Sequence, residues 1–298
     1  MKAVWHLRTA MMFAVMTGLL VVIGIAVGYY LGNMWAGMWV MLAISIAMNL
    51  YSLFGSKKMA LSANKVRLVT EAEEPRLYGI VKNLANKAGL PMPEVGISEV
   101  PMPNAFATGR SPKDAAVVAT RPILNLLTDE ELEGVMAHEL SHVKNRDILV
   151  MSAASTLASL VAFVTRMGVY SALFSGGNRN GASLIIMILI DLTVPLAASL
   201  VQLGVSRNRE FLADESGGRL TGKPMALASA LNKLETGCSS PNNTYSSDAY
   251  ECIWISSPKG LKKLTGFTNL FRTHPSTEAR VEKLRELDKE LNGSYRPY

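Results

Sequence analysis

His138-Glu139-Leu140-Ser141-His142 is the segment of this 298-residue chain whose residue types and spacing best suit chemistry, an H-E-x-x-H sequence. On a helix, four residues advance about 400° and about 6 Å, so both imidazoles leave one face and can converge on one metal ion. Glu139 is then turned about 100° from His138. Two neutral ring nitrogens hold zinc well, and a third protein ligand beside an open position makes such a site catalytic. Zinc lowers the pKa of bound water towards neutrality, and Glu139 can take its proton. So short a pattern also arises by chance across proteins, so the elements around it must decide.

Those elements read as a compact α+β unit. Thr128 stands at an N-cap with Glu131 as its capping-box partner, which predicts a helix from Asp129 through Asp147 carrying both histidines. Upstream, Leu77, Ile80, Val81 and Leu84 recur at helical spacing, predicting a helix over Glu73–Ala88 that Gly89 and Pro91 stop. Three extended pieces follow at Glu94–Ser98, Asn104–Thr108 and Ala115–Thr120, parted by Pro101, Pro103, Gly109 and Pro112, and they predict a small sheet. The fold class is thus mainly α with a small β-sheet.

Charge is distributed unevenly. Residues 9–56 contain no Asp, Glu, Lys or Arg, residues 148–178 contain only Arg166, and residues 180–206 only Asp191. Apolar runs of about 20 residues are the length that crosses a bilayer as a helix, which excludes a single soluble globule. Four transmembrane helices are predicted, at Ala10–Leu31, Met34–Phe54, Ile148–Phe174 and Ala182–Gly204. A pair of buried core helices is the alternative for the last two, each of which carries one charge. The domain organisation expected is a membrane hairpin over 1–55, a catalytic part over 56–147, a second hairpin over 148–204 and a closing part over 205–298.

Lys2, Arg8, Lys57, Lys58, Lys65, Arg67, Lys144, Arg146, Arg207, Arg209 and Arg219 flank the spans on one side, against Arg179 alone on the other. Basic residues collect on the cytoplasmic side, so the N-terminus, 55–147 and the chain after 205 are expected there, in a multi-pass cell-membrane protein. The net charge of +6 fits contact with anionic membrane lipids, and no motif supports a nucleic-acid partner. Cys238 and Cys252 form no C-x-x-C pair and are expected to be reduced, and two glycosylation sequons, at Asn242 and Asn292, would face the wrong compartment.

His142 lies six residues before the third span and Glu210 six after the fourth, within Ser206-Arg207-Asn208-Arg209-Glu210-Phe211-Leu212-Ala213-Asp214. If the spans form an antiparallel hairpin whose helices continue outward, Glu210 can reach the metal as third ligand. Asp214, one turn on, is placed to accept the N–H of a ligating histidine. A solvated acidic face among arginines is the alternative for this pair.

Taken together, the H-E-L-S-H helix, the S-R-N-R-E-F-L-A-D segment and the four spans resemble the HtpX family of integral-membrane zinc metalloproteases, relatives of the eukaryotic CAAX-processing membrane proteases. The pairing of H-E-x-x-H with E-x-x-x-D is similar to the thermolysin-like gluzincins. The resemblance implies a gluzincin-like zinc protease domain with one Zn2+ per chain held by His138, His142 and Glu210, Glu139 as base and Asp214 behind a histidine. It also implies that His274 and Arg280, in a His274-Pro275 element followed by Arg280, both lie near the active site, where His274 would stabilise the oxyanion and Arg280 would bind substrate. A helix-entry histidine with a surface arginine is the bland alternative. Asn104, Ala105 and Phe106 resemble the family's edge strand, which takes an extended peptide as another strand. Protein or peptide substrates, damaged or misassembled membrane proteins among them, and a quality-control and stress-response role follow from the resemblance.

The likeness weakens over 238–266, which reads as a lid, a membrane-dipping loop or a surface insertion. Arg166 and Asp191 are costly in lipid unless paired or wetted, with outward snorkelling the other course for Arg166, and Pro195 should kink the fourth span. A transporter using these two charges leaves the cytoplasmic histidines unexplained, and the intact Glu139 argues against an inactive metal-bound scaffold.

Overall fold

The computed structural model of the chain describes residues 2–30, 32–152, 207–238 and 275–293. Two compact units emerge, residues 1–56 with 149–204, and residues 57–148 with 205–298.

In the first unit, α1 (Lys2–Tyr30) and the start of α2 (Met34–Ala63) form a hairpin. Their seam is small and polar. Ser45 Oγ donates to Thr17 Oγ1 at 2.8 Å and Asn49 Nδ2 to the same oxygen at 3.0 Å. A Cβ on Gly28 would come within 3.0 Å of Gly37 Cα, so the backbones meet where only glycine fits. Close approach over small residues, with interhelical hydrogen bonds, is how helices associate where no hydrophobic force drives them together. Trp35, Trp39, Val40, Leu50 and Phe54 point outward and are exposed. Of the described helices, α2 alone is long and apolar enough to cross a membrane, while α1 carries a shorter apolar stretch, Phe13–Ile25. The α2 helix also outruns its expected span, continuing past Phe54 to Ala63. The third and fourth expected spans, with Arg166, Asp191 and Pro195, lie outside the described residues apart from 148–152.

The second unit is mainly helical with a small mixed sheet. β1 (Val66–Leu68), β2 (Glu94–Ser98), β3 (Ala105–Gly109) and β4 (Ala115–Thr120) lie in the order β1-β2-β4-β3. β1 pairs antiparallel with β2, β2 parallel with β4, and β3 antiparallel with β4. All six residues of the central β4 are buried, as its unbroken run Ala-Ala-Val-Val-Ala-Thr suits a strand covered on both faces. The second strand and β4 fall where the sequence places them, and β3 begins at Ala105 rather than Asn104. β1 and the short α4 (Arg121–Leu126) were not expected. Three residues of β1 are too few to show a period.

α3 (Pro75–Ala88) starts at its proline, later than expected, and ends where Gly89 takes φ 66°, a left-handed cap that suits glycine. α5 (Asp129–Lys144) starts on the Thr128 capping box. It stops at Lys144, not at Asp147: Arg146 takes φ 61°, its N–H donates to Val143 O at 3.1 Å, and helix resumes over 147–152. α6 (Arg207–Thr221), α7 (Pro224–Cys238) and α8 (Thr277–Asn292) are the other helices among the described residues of the unit.

α5 is the central element. It packs on α3 and β3 and on α6 and α7, so twelve of its residues are buried, Glu131 and Ser141 among them. Leu132, Val135, Met136 and Leu140 join Leu77, Val81 and Leu84 of α3 and Leu227, Leu231 and Leu234 of α7 in one core. Each such leucine contributes about 2 kcal/mol by leaving water. That core fixes the helix on which the chemistry sits.

Candidate metal centre

His138 and His142 stand one turn apart on α5, buried, with Nε2 atoms 3.3 Å from each other. α6 lays Glu210 against them: its Oε2 lies 3.7 Å from His138 Nε2 and its Oε1 3.5 Å from His142 Nε2. The close approach depends on Gly217, where a Cβ would stand 3.0 Å from His138 N. No side chain holds the two helices further apart there.

Behind each imidazole is a carboxylate. His138 Nδ1 is 2.9 Å from Asp214 Oδ1, and His142 Nδ1 is 3.3 Å from Asp147 Oδ2. With a proton on each Nδ1 directed at its carboxylate, both Nε2 atoms present lone pairs to one point, and Glu210 adds a third donor. Three electron-pair donors facing one another at such range repel unless a proton or a metal cation lies among them. A tetrahedral zinc with bonds of about 2.0–2.1 Å keeps its ligand atoms about 3.3 Å apart. The 3.3–3.7 Å separations found here fit that ion with a small contraction, and the nitrogen and oxygen donor set suits it. Among the described residues, this is the cluster able to hold a metal ion.

The electrostatics agree. In the absence of a cation, burial opposes a charged His142, yet Asp147, Glu210 and Glu139 more than offset it and raise its pKa to about 9. Burial pushes Glu139 above the ordinary carboxylate range, with His138, His142 and the Ala107 N–H acting the other way. Asp214 is held below its usual range although burial works against this, because Arg280 pairs with it.

Arg280, at the end of the first turn of α8, is fully buried. Its Nε donates to Asp214 Oδ2 at 2.7 Å and its Nη2 to Asp214 Oδ1 at 2.6 Å, and Nη2 lies 3.5 Å from His138 Nδ1. The guanidinium therefore stands behind His138, on the carboxylate, instead of reaching out to a substrate as the sequence led us to expect. His274 lies outside the described residues, as does nearly all of 238–266. β3 packs against α5. Ala105 and Phe106 are themselves buried, so what this strand offers is backbone. Asn104 is half-buried just ahead of it, its N–H donating to Thr120 Oγ1 at 2.9 Å and its carbonyl accepting from Thr120 N at 2.9 Å.

Sequence reasoning missed Asp147 and Arg209. Arg209 Nη1 is 3.0 Å from Asp147 Oδ1, with both side chains buried. On a continuous helix Asp147 would stand about 140° round from His142 and about 7.5 Å along. The break at Asn145 and Arg146 returns it to the histidine, and nothing in the local sequence announces that break.

The chain is similar to known proteins over nearly its whole length. The profile of Peptidase family M48 matches residues 71–288. The Protease HtpX homolog of Thermococcus kodakarensis is 42% identical over 98% of this chain and 99% of its own length. That of Nostoc punctiforme is 41% identical over 96% of this chain and 97% of its own length. The crystal structure of S. mikatae Ste24p matches with a TM-score of 0.51 at 18% identity, over 95% of this chain and 66% of that one, which shows a shared fold. The family match spans both α5 and α6, and with near full-length relatives of about 40% identity the chain belongs to peptidase family M48, among the HtpX-type proteases.

Proposed function

We propose that the chain is a membrane-embedded zinc endopeptidase that hydrolyses peptide bonds at the cytoplasmic face. The observation that carries this reading is the convergence of His138, His142 and Glu210 on one point, with Glu139 buried beside them. The M48 match and the HtpX and Ste24p likenesses support it, as does the apolar α2. Four membrane spans, the cytoplasmic orientation and contact with membrane lipids remain part of the proposal and rest on the charge pattern.

His138, His142 and Glu210 would hold the zinc, which when bound would supply Lewis-acid chemistry to the scissile carbonyl and to a water. Glu139 takes the proton of the attacking water and returns it to the leaving amine, a role that a carboxyl with a raised pKa suits. Asp214, fixed by Arg280, keeps His138 in the tautomer that points Nε2 inward. An extended substrate adds to β3 as a further strand, so its backbone supplies affinity with little sequence selectivity. His274 is assigned the developing oxyanion. Such tolerance suits clearance of damaged or misfolded membrane proteins, and nucleic acid has no part in it.

The test is cleavage of an unfolded membrane-anchored reporter by the detergent-solubilised protein, with and without zinc, beside Glu139→Gln. Zinc-dependent cutting that disappears in a variant still binding zinc supports the assignment. Cutting that survives in the variant removes Glu139 from the mechanism, and a wild type that binds no zinc removes the metal centre.

A further inference from the structure

The two imidazoles are backed in the same way. His138 has Asp214, clamped by Arg280, and His142 has Asp147, paired with Arg209. We infer that Asp147 is a positioning residue for the metal, holding His142 in its ligating tautomer and rotamer, and that Arg209 acts through Asp147 to register the helix of Glu210 against that histidine. The inference rests on the metal centre proposed above and extends it to two residues outside the H-E-x-x-H and E-x-x-x-D elements.

Three observations carry it. Asp147 is 2% exposed and Arg209 8%, so this pair is shielded from the solvent that makes most ion pairs inconsequential. Second, the geometry is bought with backbone strain. Arg146 adopts φ 61°, a left-handed conformation unfavourable for a non-glycine residue, and this turn is what swings Asp147 Oδ2 to 3.3 Å from His142 Nδ1. Third, Arg209 adjoins Glu210 in the chain, so its 3.0 Å contact with Asp147 Oδ1 ties the third ligand's backbone to the residue orienting the second. Ligands 68 positions apart, His142 and Glu210, are thereby locked to one another by the residues that support them, which a metal centre needs if its distances are to hold.

Zinc affinity of the full-length protein in detergent, measured by chelator competition, tests this together with the visible absorption of the cobalt(II)-substituted protein. Asp147→Ala should weaken zinc by about 10- to 100-fold and alter the cobalt bands. Asp147→Asn, which keeps an oxygen for the Nδ1 proton, should recover part of that loss and covers the case in which the alanine variant does not fold. Arg209→Ala should weaken zinc less, and added to Asp147→Ala it should weaken it no further. A purely structural tether would lower the thermal stability of the metal-free protein and leave zinc affinity and the cobalt bands at wild-type values in the Asp147 variants. That result overturns the inference, and additive losses in the double variant overturn the part assigned to Arg209. Wild-type protein that binds no zinc would overturn the metal centre itself, a failure distinct from that of Asp147.

Discussion

Gly217 to alanine is a change of one methyl group at the place where α6 crosses α5. The new Cβ would lie 3.0 Å from His138 N and 3.2 Å from both Ala137 C and His138 Cα. These are backbone atoms, so no side chain can rotate aside, and α6 must retreat by a few tenths of an ångström to restore ordinary contact. Overpacking of this kind costs about 1–3 kcal/mol, offset by up to about 1 kcal/mol from alanine's better helix propensity. Net destabilisation should therefore be slight for alanine, roughly 0–2 kcal/mol, and larger for valine, whose branches reach the same backbone. The metal should be affected more than the fold. Glu210 lies two turns along the same helix and moves with it, while metal bonds tolerate only about ±0.2 Å. Zinc affinity by chelator competition, set beside thermal unfolding of the metal-free protein, should fall about tenfold for Gly217→Ala and further for Gly217→Val. Valine at this position with wild-type zinc affinity and unchanged stability would refute the claim that the bare glycine sets the helix spacing.

Other expected outcomes follow from single groups. Burial works against ionised Glu131, but Lys233, the Thr128 N–H and Ser229 hold its pKa down at about 2. A lowered carboxylate pKa contributes stability that is present above its unfolded value of 4.5 and is lost as pH falls from 4.5 through about 2. Glu131→Gln should flatten that acid limb in urea titrations at stepped pH. His142 runs the opposite way: raised to about 9 in the metal-free protein, its contribution is whole below 6.5 and fades as pH climbs through about 9. Because zinc needs the neutral ring, affinity should tighten by about tenfold per pH unit across that window, with proton release seen by calorimetry in buffers of different ionisation enthalpy. Arg280→Met strands Asp214 in the interior and should cost about 3–5 kcal/mol in thermal or denaturant unfolding, part of which Asp214→Asn in the same chain should restore.

The helix that bears the chemistry was legible because its signals are local. Thr128 and Glu131 sit three apart, as a capping box requires, and His138 and His142 four apart, as a shared helix face requires, so period and cap alone locate α5 and its ligands. The same holds for β2 and β4, whose turn residues bracket them. Apolar runs likewise declared the α1 and α2 hairpin, although α2 runs on to Ala63 because a helix does not end where its hydrophobic stretch does.

Contacts made across the chain were another matter. Glu210 and Asp214 drew notice by their E-x-x-x-D spacing, but their distances to the histidines depend on Gly217, whose meaning appears only when a second helix lies against it. Arg280 reads in the sequence as a substrate-binding residue, yet α8 packs so that its guanidinium pairs with Asp214. Asp147 was invisible because a continuous helix turns it away from His142, and the left-handed Arg146 that reverses this carries no glycine or proline to mark it. The sequence by itself determined which residues can bind and activate, since residue type and helical period are properties of neighbours along the chain. Only the tertiary structure decided how those residues are braced, since bracing joins side chains from segments far apart, through packing that no local pattern encodes.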